Sequence, residues 1–193
     1  LKMTKMANSG DLPKVSLLLI GDELTTGAIN DTNGKWLSEN LTELGFTIVG
    51  IEIVRDRLDE IVSALQRASL SSEVVIATGG LGPTTDDITL EVIAKAFGSK
   101  LVKNKGAEAN IKRRLKLLGF EKLNKGHIKQ TFLPENARAL RNDEGTAPGV
   151  HWKVGDRDLF FLPGPPREFQ FVLDHSLQSL ISKISGMIYA FGI

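Results

Sequence analysis

The chain of 193 residues contains no cysteine. Disulfides, thiolate nucleophiles and cysteine-ligated zinc are thereby excluded, and an intracellular setting is the simplest expectation. Long apolar runs are missing too. None reaches the roughly 20 residues that cross a bilayer, and the first residues carry no apolar core of a secretory signal. A cytoplasmic protein without membrane contact is expected. Charge of one sign is not in excess, since 24 Lys and Arg oppose 23 Asp and Glu for a net +1. No dense basic stripe interrupts that balance, so a nucleic-acid partner held by phosphate neutralisation is not expected. The three histidines, His127, His151 and His175, have no mutual metal-ligand spacing. No Ser-His-Asp pattern is present, and Gly79-Gly80-Leu81-Gly82-Pro83 lacks the lysine of a P-loop. What remains, with 41% hydrophobic and 24% charged residues, is the composition of a globular domain with an ample core.

One stretch dominates what is there: Thr78-Gly79-Gly80-Leu81-Gly82-Pro83-Thr84-Thr85-Asp86-Asp87. It follows an apolar, strand-like run, Val74-Val75-Ile76-Ala77, and precedes a helix-like run from Ile88 to Ala94. A strand that ends in glycines and re-enters as a helix leaves unpaired N–H groups at the positive end of a helix dipole, which suits an anion. Glycines let that anion approach the backbone. Two carboxylates at the same turn would repel a bare phosphate, but they suit a divalent cation placed between them and it. The simpler reading is that Asp86 and Asp87 cap the helix.

Val15 to Ile20 is a nearly all-apolar run, as in a strand buried on both faces of a parallel sheet, and it runs into the polar loop Gly21-Asp22-Glu23-Leu24-Thr25-Thr26-Gly27. That loop reads as a site or as an ordinary connection. Asp31 or Thr32 can cap the following helix, Gly45 can end it, and Trp36, Leu37, Leu41 and Leu44 recur at the spacing of a sheet-facing stripe. Phe46 to Val54 is a second strand, followed by a helix carrying Leu58, Ile61, Val62, Leu65 and Ala68. Asp56, between the two, reads equally as a cap or as a third site carboxylate. After the central stretch, its helix runs to Phe97, a short strand lies near Lys100-Leu101-Val102, and a basic helix spans Ala107 to Leu118, with Lys112, Arg113, Arg114 and Lys116 as a solvated face. Alternating strands and helices predict a mostly parallel sheet covered on both sides. Ligands of such sheets bind at the carboxyl ends of the strands, where all three polar loops fall.

The rhythm then changes. Thr131 to Glu135 and Ala137 to Leu140 read as short extended pieces, and Val150-Trp152-Val154, Gly155-Asp156 and Leu159 to Leu162 read as a hairpin. Pro163-Gly164-Pro165-Pro166-Arg167-Glu168 then leads into a helix starting near Pro166 or Arg167. Arg167 opposes the dipole there, which suggests a grip on phosphate or a pair with Glu168. Residues 1–14 are expected to form a loose leader, with Met3 and Met6 each offering a start, residues 15–185 a single domain, and residues 186–193 an apolar tail that packs on the domain or marks the loss of a longer chain.

Taken together, four ordered motifs resemble the molybdopterin-binding fold of the MoaB and Mog proteins, and most closely the N-terminal domain of the CinA (competence/damage-inducible) family. They are Gly21-Asp22-Glu23-Leu24 with Gly27 and Asp31-Thr32-Asn33, Thr78 to Asp87 with Thr89, Gly145-Thr146-Ala147-Pro148-Gly149, and Leu162 to Glu168. Lys129-Gln130 is similar to a Lys-Gln pair of the family. The resemblance implies a three-layer α/β/α domain with a mostly parallel sheet and a small β-rich appendage. It implies a nucleotide or pterin with phosphates over the glycine turn, and a homo-oligomer, dimer or trimer. The amidohydrolase domain that follows in the full-length family is too long to fit this chain, so deamidation of nicotinamide mononucleotide is not expected.

The resemblance further implies divalent-metal-dependent hydrolysis of a nucleotide pyrophosphate, foremost ADP-ribose to AMP and ribose 5-phosphate, with magnesium, manganese or cobalt. Asp87 and Asp56 would hold or orient ion and water, with Asp86, Asp22 and Glu23 completing the metal shell. Gly79, Gly80 and Gly82 would donate backbone N–H groups to phosphate, and Lys129 or Arg167 would stabilise the transition state. Thr78, Thr84, Gly27, Asn33, Gln130, Gly145, Thr146, Pro163 and Gly164 would contact substrate. Two other readings are a molybdopterin-handling transferase, with molybdopterin as its ligand, and a nucleotide-binding module without catalysis.

Overall fold

In chain order the computed structural model comprises β1 (Lys14–Ile20), α1 (Asp22–Thr25), α2 (Asn33–Glu43), β2 (Thr47–Val54), α3 (Leu58–Ser71), β3 (Val74–Thr78), α4 (Thr89–Ala96), β4 (Leu101–Lys103), α5 (Lys105–Leu117), α6 (Lys125–Lys129), β5 (Phe132–Pro134), β6 (Arg138–Leu140), β7 (Gly149–Val154), β8 (Arg157–Leu162) and α7 (Pro166–Val172). The structure describes residues 12–177. Most of the expected leader, the expected domain end at 185 and the tail over 186–193 lie outside those residues.

Six strands form one mixed sheet in the order β2-β1-β3-β8-β7-β6. Its first three pairings are parallel and its last two antiparallel. The aliphatic runs of β1 and β3 are buried nearly throughout, as strands covered on both faces must be. Alternation divides their side chains between two cores. Leu18, Ile20, Val75, Ala77, Leu159 and Phe161 meet Ile61 and Leu65 of α3 and Ile93 of α4. Val15, Leu17, Val74, Ile76, Phe160 and Leu162 meet Leu37 and Leu41 of α2 and Phe169 of α7. Trp36 belongs to this second core, edge-on to Phe169 with ring centroids 5.8 Å apart.

The expected hairpin is present, but it completes the main sheet and does not stand apart from it. β8 runs parallel to β3 from Val74↔Asp158 to Thr78↔Leu162, and β7 folds back on it. The appendage is the smaller antiparallel pair β4–β5. Two short helices, α1 and α6, had no clear sequence signal. α6 is closed by a capping box in which Asn124 Oδ1 accepts the His127 N–H at 2.8 Å and His127 Nδ1 accepts the Asn124 N–H at 3.3 Å. His151 Nε2 lies 2.6 Å from Asp158 Oδ1 and its ring stacks on Phe160. Both histidines therefore have structural duties. No helix of the described residues is long and apolar enough to cross a membrane.

Phe160 is fully buried between β3 and β7 in the second core. Phe160→Ala should cost about 3–5 kcal/mol of unfolding free energy, as cavity-forming Phe truncations do. Urea denaturation checks this; a loss below about 1 kcal/mol, the range of surface changes, would show that the core does not depend on this ring.

Candidate functional site

The carboxyl ends of β1, β2, β3 and β8 open onto a cleft of about 530 Å³, a size typical of small-molecule sites. Its floor is the glycine turn after β3. Gly79 has φ +105°, and a Cβ there would strike the Ile20 backbone carbonyl, so only glycine passes between the ends of the neighbouring strands. Its N–H donates to Leu162 O at 3.1 Å and is therefore not free for a ligand. The N–H groups of Gly80 and Gly82 have no acceptor among the described residues, and both glycines line the cleft. They are the available donors.

The chain does not re-enter α4 directly from the glycines. The loop over 81–88 intervenes, and Thr89, the first residue of α4, reaches back to the turn. Its buried hydroxyl donates to Gly79 O at 3.1 Å and its N–H to Gly80 O at 3.3 Å. Neither aspartate caps α4, whose N-cap is Ile88 without a side-chain bond. Asp87 Oδ2 accepts the Thr84 N–H at 2.8 Å and the Thr84 hydroxyl at 2.5 Å, which organises the loop, while Asp86 is exposed. Both aspartates line the cleft.

Lys129 is used elsewhere than expected. Its Nζ donates to Thr84 O at 3.0 Å and Asp87 O at 2.7 Å and lies 3.7 Å from Glu91, so it fastens the loop from outside the cleft. Gln130 beside it is 4% exposed and donates to Leu81 O at 3.0 Å, while its Oε1 has no partner among the described residues. It stands between the cleft and a water-sized cavity of about 20 Å³.

On one flank, Asp22 and Asp56 exchange backbone-to-carboxylate bonds, each 3.3 Å long. The N-cap of α3 is Arg57, so Asp56 faces the site and is not a cap. Burial raises the Asp56 carboxyl above its ordinary pKa. The charges of Asp22, Glu23 and Asp87 raise it further, against the lowering by the Asp22 backbone bond. Asp56 and Glu23 line the cleft; Asp22 does not. Among the described residues no three His, Asp or Glu side chains are grouped to hold a metal ion. The donors fit an ion of the magnesium type, which takes one or two carboxylates and fills its shell with water and substrate phosphate.

On the other flank, Asn33 donates to Gly164 O at 2.8 Å, which ties α2 to the Pro163–Pro166 turn, and Asp31, not the Thr32 side chain, accepts the Gly34 N–H at 2.9 Å. Thr78, Asn33, Thr146, Pro163 and Gly164 line the cleft, whereas Gly27, Thr84 and Gly145 do not. Arg167 is exposed outside it. Glu168 is bonded to Asn142 at 2.8 Å instead of pairing with Arg167, and it lines the cleft. Asn142 was not singled out from the sequence, and Glu168 was expected only as a partner for Arg167; 26 residues separate Asn142 from Glu168 and no local spacing connects them.

A mixed sheet flanked by helices, with a glycine-floored cleft at the carboxyl ends of its strands, defines the class as an α/β domain. The chain belongs to the MoCF_biosynth family, the probable molybdopterin binding domain, whose model matches residues 16–183, and it is CinA-like within it. A CinA protein of unknown function from Thermoplasma acidophilum is 34% identical and superposes with a TM-score of 0.82 over 89% of this chain and 99% of that one. A CinA-like protein from Kosmotoga olearia is 39% identical over 91% of this chain but only 42% of its own length, so this chain spans about two fifths of such relatives. The tungsten cofactor synthesizing protein MoaB from Pyrococcus furiosus, at 22% identity and TM-score 0.60 over 92% of this chain and 98% of that one, shares the fold.

The carboxylate flank has a measurable signature. A carboxyl whose pKa rises on folding contributes stability below its unfolded pKa and loses it as pH climbs through the folded value. Asp56 is such a group. Asp56→Asn should therefore melt a few degrees above the unsubstituted protein at about pH 7, with the gap closing toward pH 4. Differential scanning calorimetry across that range checks it, and a variant less stable at neutral pH would contradict the mutual repulsion.

Proposed function

We propose that the cleft binds a nucleotide diphosphate with its phosphates over the glycine turn and hydrolyses it with the help of a divalent metal ion. ADP-ribose is the substrate favoured, giving AMP and ribose 5-phosphate. The observation that carries this reading is the juxtaposition of free Gly80 and Gly82 N–H groups with carboxylates that repel one another. Donors there favour phosphate, and the crowded charges favour a cation beside it. Magnesium, manganese or cobalt, when bound, would polarise the phosphate and lower the pKa of a bound water.

The chain's own groups then have distinct tasks. Asp87, whose Oδ2 is committed to Thr84, presents its remaining lone pairs toward ion or water. Asp56 Oδ2 takes the Asp22 N–H, and Oδ1 lies toward Gly80. With its raised proton affinity, Asp56 accepts at Oδ1 the proton lost as a water oxygen bonds to phosphorus and the bridging P–O bond breaks. Gly80 and Gly82 meet the charge on the phosphoryl oxygens. Neither Lys129 nor Arg167 is given a place on the transition state, since one holds the loop and the other lies outside the cleft.

A second reading, molybdopterin binding or adenylyl transfer to it, is favoured by the family to which the chain belongs. Product analysis decides between them, with ADP-ribose, FAD and ATP each offered with magnesium, manganese, cobalt or chelator. AMP release from ADP-ribose that requires metal is the expected result. Asp87→Asn, which keeps an oxygen for Thr84, should reduce turnover about a hundredfold or more with an unchanged melting temperature. Undiminished turnover in this variant would remove Asp87 from the mechanism. Nucleotide binding without cleavage would leave a binding module, and turnover only with pterin and ATP would establish the second reading.

A further inference from the structure

The reaction above uses one flank and the floor of the cleft and leaves the opposite flank without a task. That flank is a built structure. Asn142 is 0% exposed, and its side-chain amide is fully committed. Oδ1 accepts the N–H groups of Glu144 and Gly145 at 3.0 and 3.1 Å, and Nδ2 donates to Ala147 O at 2.7 Å and to Glu168 Oε2 at 2.8 Å. Its own N–H donates to Asn110 Oδ1 at 2.8 Å, an oxygen that Arg113 also reaches at 2.8 Å. An amide saturated in this way cannot rotate, so Glu168 Oε2 is fixed. Gly145 makes the arrangement possible, because a Cβ there would collide with the Glu168 carboxylate. Glu168 Oε1, by contrast, accepts no hydrogen bond from the described residues.

The surroundings narrow what that oxygen would meet. The Gly164 turn abuts Gly79, with a Cβ on Gly164 only 3.6 Å from the Gly79 Cα, so the Glu168 flank adjoins the glycine floor. No aromatic residue lines the cleft among the described residues, so a flat ring finds no stacking platform there. A carboxylate held at one oxygen keeps acceptor capacity at both, which suits two adjacent O–H donors. Burial raises the Glu168 carboxyl pKa, as expected of oxygens short of donors.

We propose that Glu168, buttressed by Asn142, accepts hydrogen bonds from the vicinal hydroxyls of a ribose on the bound nucleotide and sets the cleft's preference for ribosyl ligands. The inference rests on the phosphates occupying the glycine turn, and it assigns the part of the substrate beyond them.

Calorimetry with an uncleavable methylene-bridged ADP-ribose and magnesium tests this, alongside two analogues that each lack the hydroxyl pair on one ribose. The unsubstituted protein should bind the parent roughly tenfold or more tightly than one of the deoxy analogues, the worth of a charge-assisted bond. Glu168→Gln keeps an oxygen for Asn142 but turns an N–H₂ donor toward the hydroxyls. The preference should shrink to about twofold or less, the few tenths of a kcal/mol left without that bond. Equal affinity of the unsubstituted protein for all three ligands overturns the inference whatever the variant does, and so does a preference that survives in Glu168→Gln. AMP release without hydroxyl discrimination would sink this proposal alone. Discrimination without AMP release would sink the hydrolytic reading and leave this one standing. No binding of the parent ligand would overturn both.

Discussion

The site depends on a steric constraint at Gly79. Three strand ends converge there, and the chain can leave β3 only by passing under the Ile20 carbonyl in a left-handed conformation. The bond from Gly79 N–H to Leu162 O ties the exit of β3 to the exit of β8. Everything on the cleft floor follows from that passage. The next residues emerge with their N–H groups unpaired, and Thr89 must reach back from α4 to close the turn. A side chain at position 79 would push these strand ends apart.

Around that floor the chain places opposing polar devices. Burial, and the charges of Asp22, Glu23 and Asp87 around it, raise the Asp56 carboxyl above its ordinary pKa. Lys129, expected with Arg167 as a stabiliser of transition-state charge, holds loop carbonyls. The Asn142 network on the other side holds one carboxylate rigidly and leaves its second oxygen open. Several carboxylates crowded on one flank and a single carboxylate held by a neutral amide on the other make the two sides chemically unlike.

Much of the fold was legible because burial on both faces demands continuous aliphatic runs. Leu17 to Ile20 and Val74 to Ala77 could hardly be anything but central strands. The glycine-rich turn was legible for the same local reason. Relations set by tertiary geometry were not. Nothing in the spacing of Asp22 and Asp56 shows that their backbones and carboxylates would meet. A lysine in a polar loop reads alike whether it faces a ligand or a carbonyl, so Lys129 was assigned a transition-state role that its bonds do not support. The hairpin was recognised, but its insertion beside β3 was not, because parallel pairing leaves no mark in the turn that precedes it.

That insertion has a consequence for how the molecule comes into being. β3 is complete at Thr78, yet the strand that covers its open edge ends only at Leu162. During synthesis the most apolar strand of the sheet waits with unpaired backbone groups while more than half of the remaining domain is made. Such long-range parallel closure is slow to find and leaves an edge to which other chains can pair. The centre of the sheet is therefore sealed late, and the open edge of β3 must be kept apart from its neighbours until β8 arrives.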